Sequence, residues 1–434
     1  MAEGRCNNRA LPDAEAPDLS GRRARPTAGW PVLLAGGAAA AAALAVAVVV
    51  LLDTLPGDHA DLGASPLPSA SDPAPSQSET ARPTPIAEPS WEIITIAGVE
   101  DVRGVVELNG RLVAGGWNPS ADTLALAWSD DAVEWTPADV SYLDLDASGI
   151  DGLIAGRDGL VATGVRYPDG PMAPGIPFIL FSADGIAWEE VVHPGGCASA
   201  EHAATGAFGY VMVGTPECIE VAGRDPRPLT VLSSTDGRTW TTATHESQFD
   251  DISQKPWRLA TDGTRIVAIE FQSAAWISDD GGETWDAREA PFGAGVSTDW
   301  ITYGHGMFLV TGSQLPEGGS PPIPIACVSH DGEAWTCREA PASLNWAQAT
   351  PTGFVAHIRL IPDDRDEPIE NQIVTSTEGL EWAAGAAEPE LRDISIHHLF
   401  PTTYGLFVAG GTEPIAEPLQ YSEPRVAVHR GPLP

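Results

Sequence analysis

From Trp91 onward, apolar residues fall in short runs of about five, and each run is cut by a Gly-containing or acidic turn. The clearest unit has runs at residues 257–261, 265–270, 274–278 and 285–290. A turn containing Gly263 separates the first two, and Ser278-Asp-Asp-Gly-Gly-Glu-Thr-Trp285 joins the last two. Strands of that length linked by such turns predict a four-stranded meander.

The joining turn recurs five more times, as Ser129-Asp-Asp-Ala-Val-Glu-Trp135, Ser182-Ala-Asp-Gly-Ile-Ala-Trp188, Ser234-Thr-Asp-Gly-Arg-Thr-Trp240, Ser329-His-Asp-Gly-Glu-Ala-Trp335 and Ser376-Thr-Glu-Gly-Leu-Glu-Trp382. A spacing near fifty residues with strand-like flanks marks a radial β repeat. Ser and Asp side chains accept hydrogen bonds from backbone N–H groups a few residues on, and Gly supplies a positive φ without steric cost. Trp opens the next strand and buries a large ring between neighbouring sheets. Ala132 replaces the usual Gly and Glu378 the usual Asp. Asp-rich turns also ligate calcium, but none of these copies carries the alternating oxygen ligands and distal Glu of an EF-hand. Their aspartates are therefore read as structural.

A seventh Trp-led strand, residues 91–97, has no such turn before it. At the far end, runs at 398–401, 406–410 and 419–422 have no Trp after them, and Ser422-Glu423 stands where a turn would start. The economical reading is a seven-bladed ring whose last blade takes its outer strand from the beginning of the domain, which also pairs the terminal edges. A six-bladed ring with loose ends is the alternative.

The segment before the repeats has three parts. Residues 1–29 are polar, carry five Arg and read as a disordered cytosolic tail. Residues 30–52 run without a charge, long enough to span a bilayer. The Arg excess before this run places the N-terminus in the cytosol and the rest outside. A cleaved signal peptide or a buried helix would be shorter or differently flanked; this run ends Val-Val-Val-Leu-Leu-Asp, a poor cleavage site. Residues 53–90, rich in Pro, Ser, Ala and Asp, form a semi-extended linker with a reach of up to about 100 Å. Residues 91–434 are the propeller. The chain is thus expected to be a single-pass plasma-membrane protein, N-terminus in, displaying a monomeric extracytoplasmic domain.

Formal net charge is −37, from 60 Asp and Glu against 23 Lys and Arg, and nearly all of the acid lies beyond residue 52. Such a domain repels nucleic acid and anionic lipid. Outside the cell disulfides persist. Cys327 and Cys337 flank the fifth turn and face each other on adjacent strands, leaving Cys197 with Cys218. Zinc is disfavoured by the absence of Cys-x-x-Cys, and adjacent His397 and His398 point to opposite faces of a strand. No cofactor or metal is implied.

The Ser-x-Asp-Gly-x-x-Trp copies resemble the Asp-box, or BNR, repeat of sialidase-like β-propellers over roughly the last three-quarters of the chain. The resemblance implies an all-β seven-bladed propeller with Asp-box hairpins on the outside, away from an axial ligand site. In that superfamily three Arg hold a substrate carboxylate, a Tyr paired with Glu is the nucleophile and an Asp is the acid/base, a variant of the usual carboxylate pair. The Arg-Ile-Pro motif expected near the first strand is replaced by Asp101-Val-Arg103-Gly-Val, so Arg103 alone stands in for the clamp, and Tyr421-Ser422 is a faint match to the nucleophile. No Ser-His-Asp order, P-loop or His-Glu-x-x-His is present. No catalytic residue is therefore assigned.

In a propeller the first strand of each blade lines the central channel. Aligning the first hairpins on Gly110, Gly159, Gly209, Gly306, Gly353 and Gly405, with Gly263 shifted by one, nominates Arg103, Asp151, His202, Trp257, Asp299, Trp300, Trp346 and His398 as a ligand-binding ring. Trp with Arg, Asp and His suits stacking on sugar rings or other flat polar ligands, and the competing role for the indoles is packing between blades. The expected function is non-catalytic recognition of a glycan or an exported protein. A sialidase-type exo-glycosidase and an assembly factor for a membrane complex are the alternatives.

Overall fold

A computed structural model describes residues 91–430 except 144, 146–147, 169–174, 216–228, 246–257, 270–273, 289–290, 294, 317–319, 361–369, 386–387, 393 and 413–423. The proposed tail, membrane span and linker lie outside the described residues. Among the described residues no helix is long and apolar enough to cross a membrane.

The described chain forms seven four-stranded antiparallel sheets. Blade 1 is β2 (Asp101–Leu108), β3 (Arg111–Asn118), β4 (Thr123–Ser129) and β5 (Thr136–Pro137); blade 2 is β6 (Ser148–Ala155), β7 (Leu160–Arg166), β8 (Ile176–Ser182) and β9 (Glu189–Val191). Blade 3 is β10 (Cys197–Gly206), β11 (Gly209–Thr215), β12 (Leu229–Ser234) and β13 (Thr241–His245). Blade 4, built from β14 (Arg258–Thr261), β15 (Ile266–Ile269), β16 (Ala275–Ser278) and β17 (Asp286–Arg288), has the four strands its apolar runs predict. Blade 5 is β18 (Val296–Gly304), β19 (Met307–Gln314), β20 (Ile323–Ser329) and β21 (Thr336–Glu339); blade 6 is β22 (Asn345–Thr350), β23 (Gly353–Leu360), β24 (Glu370–Ser376) and β25 (Ala383–Ala384).

Blade 7 joins both ends of the domain. It comprises β26 (Ile394–Thr402), β27 (Gly405–Thr412), β28 (Pro424–His429) and, as its outer strand, β1 (Trp91–Ile94). Trp91 pairs with His429 and Ile94 with Val426. Closure is as expected, but the third strand is not residues 419–422. The Val-Ala-Val-His run at 426–429 carries the buried face, and Pro424 starts the strand, where its missing N–H costs no ladder bond. Ser422-Glu423 precedes this strand, outside the described residues, and His429 holds the register position expected of a turn serine.

First strands touch in ring order β2, β6, β10, β14, β18, β22, β26 and back to β2, so they form the innermost layer. The core is split into layers between blades. One layer packs Leu112, Ala132 and Trp135 of blade 1 against Phe407 and Val428 of blade 7; another packs Val161, Ile179 and Phe181 of blade 2 against Tyr210, Leu232 and Trp240 of blade 3. Each blade buries both faces, as stacked sheets must to exclude water from apolar side chains.

Cys327 and Cys337 are a register pair on β20 and β21 and are disulfide-bonded. Cys197 is disulfide-bonded too; Cys218, its expected partner, lies outside the described residues.

Candidate functional site

Four of the six turns share one hydrogen-bond scheme. In the fifth, Asp331 Oδ1 accepts from the N–H groups of Glu333 and Ala334, both at 2.9 Å, while Ser329 Oγ accepts from Gly332 N–H at 2.8 Å. Asp131, Asp184 and Asp236 repeat the double acceptance. Backbone donors stabilise the ionised carboxylate, so these groups lie below the usual range, and Asp331 falls to about 2 through Ala334 and Glu333. Ala132 holds a φ of 61° at the Gly position. These carboxylates spend their lone pairs on their own turns.

At the channel, the first strands carry a recurring irregularity. Register slips at Arg103 in β2, Asp151 in β6, Asp299 in β18 and His397 in β26, and over wider intervals in β10 and β22. A bulge leaves one residue unpaired with the neighbouring strand and re-aims the side chains around it. Arg103, Asp151, Asp299 and His397 are each exposed, while the residues that follow turn inward: Gly104, Gly152, Trp300 and His398.

Those inward positions build an axial cluster. Trp300 and Trp346 meet edge to face with ring centroids 4.8 Å apart, and Trp346 and His398 lie 4.6 Å apart. His398 stacks on Phe400 at 5.6 Å. The Arg258 guanidinium sits over Trp300 at 4.5 Å and over Trp346 at 5.7 Å, and bonds His202 Nδ1 at 2.9 Å. A cavity of about 510 Å³ is lined by Arg103, Gly152, Trp300, Trp346, Gln348 and His398 among others. His398 is pushed down to about 3, chiefly by burial and then by the charges of Arg103, His397 and Arg258, so it is a neutral donor and acceptor at pH 7. Arg103 is fixed at the rim by Asp101, 2.7 Å away.

Trp346 carries a further mark. Its φ is +54°, inside a strand, whereas the other non-glycine residues with positive φ lie in turns or loops. For a bulky side chain that conformation costs on the order of 1–2 kcal/mol.

The nominated ring therefore divides. His202, Trp300, Trp346 and His398 belong to the axial cluster; Arg103, Asp151 and Asp299 sit on the exposed rim beside it. Trp257 lies outside the described residues. His398 lines the axial cavity but is itself largely buried, because the bulge gives the exposed position to His397. Arg258, Gln348 and Phe400 were not anticipated. The fourth hairpin is longer than most, with Thr261 paired to Ile266 whereas Leu108 pairs directly with Arg111. Counting from strand pairs rather than from Gly263 would have singled out Arg258.

No family model matches the chain, and no curated protein matches it. Solved structures do. A polysaccharide lyase of family PL25, an ulvan lyase bound to -[GlcA(1-4)Rha3S]-, is 9% identical with a TM-score of 0.50, covering 78% of this chain and 96% of that one. YCF48 from Cyanidioschyzon merolae is 11% identical with a TM-score of 0.49, over 78% and 99% of the two chains. YCF48 bound to D1 peptide is also 11% identical, with a TM-score of 0.48, over 79% and 96%. At these identities the likeness is one of fold: the chain is an all-β seven-bladed β-propeller.

Proposed function

We propose that the domain is a non-catalytic receptor for a glycan, held at the outer face of the plasma membrane by residues 30–52 and bound at the axial mouth. The observation that carries this reading is Trp346. An indole kept at positive φ within a strand stores strain, and such strain gathers at functional positions. Around it, half-buried Trp300 supplies a second apolar face, and Arg103, Gln348 and neutral His398 supply directional polar groups in one cavity. Two indoles and a few placed donors suit a sugar ring, whose C–H face stacks on an aromatic while its hydroxyls take hydrogen bonds. Arg103 bound to Asp101, with acidic Asp151 and Asp299 on the rim, disfavours an arginine clamp for a substrate carboxylate and with it sialidase-type hydrolysis. The Asp turns, their carboxylates committed to backbone N–H groups, are read as Asp-box hairpins of the sialidase-like superfamily.

The test is a glycan array with the purified domain, followed by calorimetric titration of the best hit. Trp346→Ala and Trp300→Ala should each weaken binding at least about tenfold, the range of one aromatic stacking contact, with thermal unfolding still cooperative. Unchanged affinity in both variants would sink the axial site, and turnover of a fluorogenic sialoside lost on Arg103→Ala would overturn the non-catalytic reading.

A further inference from the structure

Every described residue that lines the axial cavity lies on a first strand, and all seven first strands contribute. Each of these strands sits at the end of its sheet, bonded on one side to the second strand and open on the other. Because the first strands touch in ring order, their open edges face the axis and wall the cavity all round. An open edge presents unpaired N–H and C=O groups. A hydroxyl both donates and accepts, so it matches either kind.

Strand register sorts this wall into layers. Trp300, Trp346 and His398 belong to the layer at the bulges. Two positions on, Val106, Ile154, Ala260, Thr302, Gln348 and Phe400 form a second layer, and all six line the cavity. Two residues of extended strand separate the layers by about 6.6 Å. The second layer is sided: Thr302 and Gln348 lie beneath the two indoles, while Val106 and Ile154 set apolar groups across from them. Gln348 is half-buried, and its amide makes no hydrogen bond with another described residue. At the far end the Glu107 carboxylate accepts from Thr403 N–H at 2.9 Å and from its hydroxyl at 2.8 Å, which ties blade 1 to blade 7 beneath the cavity.

From Arg103 to Glu107 the cavity runs along β2 for about 13 Å. Over that depth, about 510 Å³ gives a mean cross-section of about 40 Å². Such a bore admits one chain of sugar rings and not a chain doubled back on itself.

We infer that the axial site takes the end of a glycan chain, entering end-first along the axis, and not an internal stretch. This rests on the glycan reading above and narrows it to one class of ligand. An internal sugar has a neighbour on either side, and a wall of seven strands leaves no lateral cleft for the second neighbour. A terminal sugar has one neighbour, which leaves through the mouth. The terminal ring then lies at Thr302 and Gln348, whose hydroxyl and amide pair with its hydroxyls, with Phe400 against its apolar face. The next ring lies against Trp300 and Trp346. A chain laid across the mouth would touch only the rim, where Asp101 holds Arg103, and would not reach the second layer.

The test prints oligosaccharides of two to six sugars twice on one array, coupled through the reducing end and through the opposite end. The full chain is applied in a detergent without sugar headgroups. Each bound oligosaccharide should signal in one orientation only, the one that leaves the recognised end free. Equal signals from both orientations would overturn end-first entry and leave a glycan receptor standing, whereas no signal anywhere would overturn both. Calorimetric titration of the best hit then separates depth from rim. Gln348→Ala should weaken it about fivefold, the worth of one hydrogen bond. Val106→Trp, which fills the second layer from blade 1, should abolish it with thermal unfolding still cooperative. Unchanged affinity in Gln348→Ala, or in a cooperatively unfolding Val106→Trp, would put the ligand across the mouth and overturn the inference.

Discussion

The six outer turns and the seven strands of the axial layer are both built by repetition of the blade, yet they use it in opposite ways. At the turns the backbone recurs and the residues recur with it: Ser129, Ser182, Ser234 and Ser329 all accept the N–H three residues on, at 2.8–2.9 Å. At the axis the backbone recurs but the residues do not. Comparable inward positions carry Gly104, Gly152, His202, Arg258, Trp300, Trp346 and His398. Where one local hydrogen-bond problem must be solved in every blade, the same residues solve it each time. Where no such problem exists, positions are free to differ, and the layer becomes lopsided, with glycine on blades 1 and 2 and rings or cations on blades 3 to 7. A lopsided ring can orient a ligand; a uniform one cannot.

The largest expected effect breaks the repeated half. Gly185 has a φ of +79°, and an added Cβ would meet Val113 at 2.4 Å. Gly185→Ala combines left-handed strain with a contact that backbone or core must relieve, so a loss of about 3 kcal/mol is expected. Urea unfolding measures it. Because the turn lies far from the axis along the blade, glycan affinity should be unchanged; a joint loss of both would mean that the two regions are coupled.

Acid sharpens the same contrast, because the two regions titrate in different windows. His398 falls from 6.5 to about 3, and His357 of blade 6 to about 4, both mainly by burial. Each is neutral when folded and charged when unfolded, so stability is full above 6.5 and declines as pH falls toward the folded value. Each should cost about 1.2 kcal/mol between pH 7 and pH 5.5. The turn carboxylates act later. Asp331, depressed to about 2 by its backbone donors, contributes fully above 3.8 and loses that contribution between 3.8 and 2. Urea midpoints across pH 7 to 3 should therefore fall in two stages, and His398→Gln should roughly halve the first, leaving the share of His357, without moving the second. A single stage below pH 4 would contradict the burial of both histidines.

What could be seen in the sequence follows from this division. Ser-x-Asp-Gly-x-x-Trp is legible because every member answers a local demand of a tight turn, and six repetitions make the ring itself legible. Closure through Trp91 was visible as a Trp-led strand without a turn. The third strand of blade 7 was misplaced because His429 occupies a serine position that has no turn of its own to mark it. The axial layer was only half legible. A bulge inserts one residue into a strand without any composition to announce it, as in Val102-Arg103-Gly104 and Ile150-Asp151-Gly152, so counting from a glycine turn lands on the exposed or the inward neighbour by chance. Hence Arg103 and Trp300 came from different rings, and Arg258 went unseen beside Trp257.

The smallest expected effect lies at the one turn that departs from glycine. Ala132 holds a φ of 61° where Gly185, Gly237, Gly332 and Gly379 hold 73° to 79°. Relief of the left-handed conformation by Ala132→Gly is worth about 1–2 kcal/mol. Against it stand a methyl buried with 0% exposure among Trp135, Phe407 and Val428, about 0.8 kcal/mol, and the greater freedom of glycine in the unfolded chain, about 0.4–1 kcal/mol. The contributions nearly cancel, so urea unfolding should detect a change within about 0.5 kcal/mol. The cancellation explains why this turn alone accepts a side chain: it seats on blade 7, where Arg430 Nη2 donates to the Ala132 carbonyl at 2.8 Å, and the indole nitrogen of Trp135 is left without a partner. A gain above 1.5 kcal/mol from Ala132→Gly would mean that the methyl fits its seat on the closing blade poorly, and that the first turn is a strained copy rather than an adapted one.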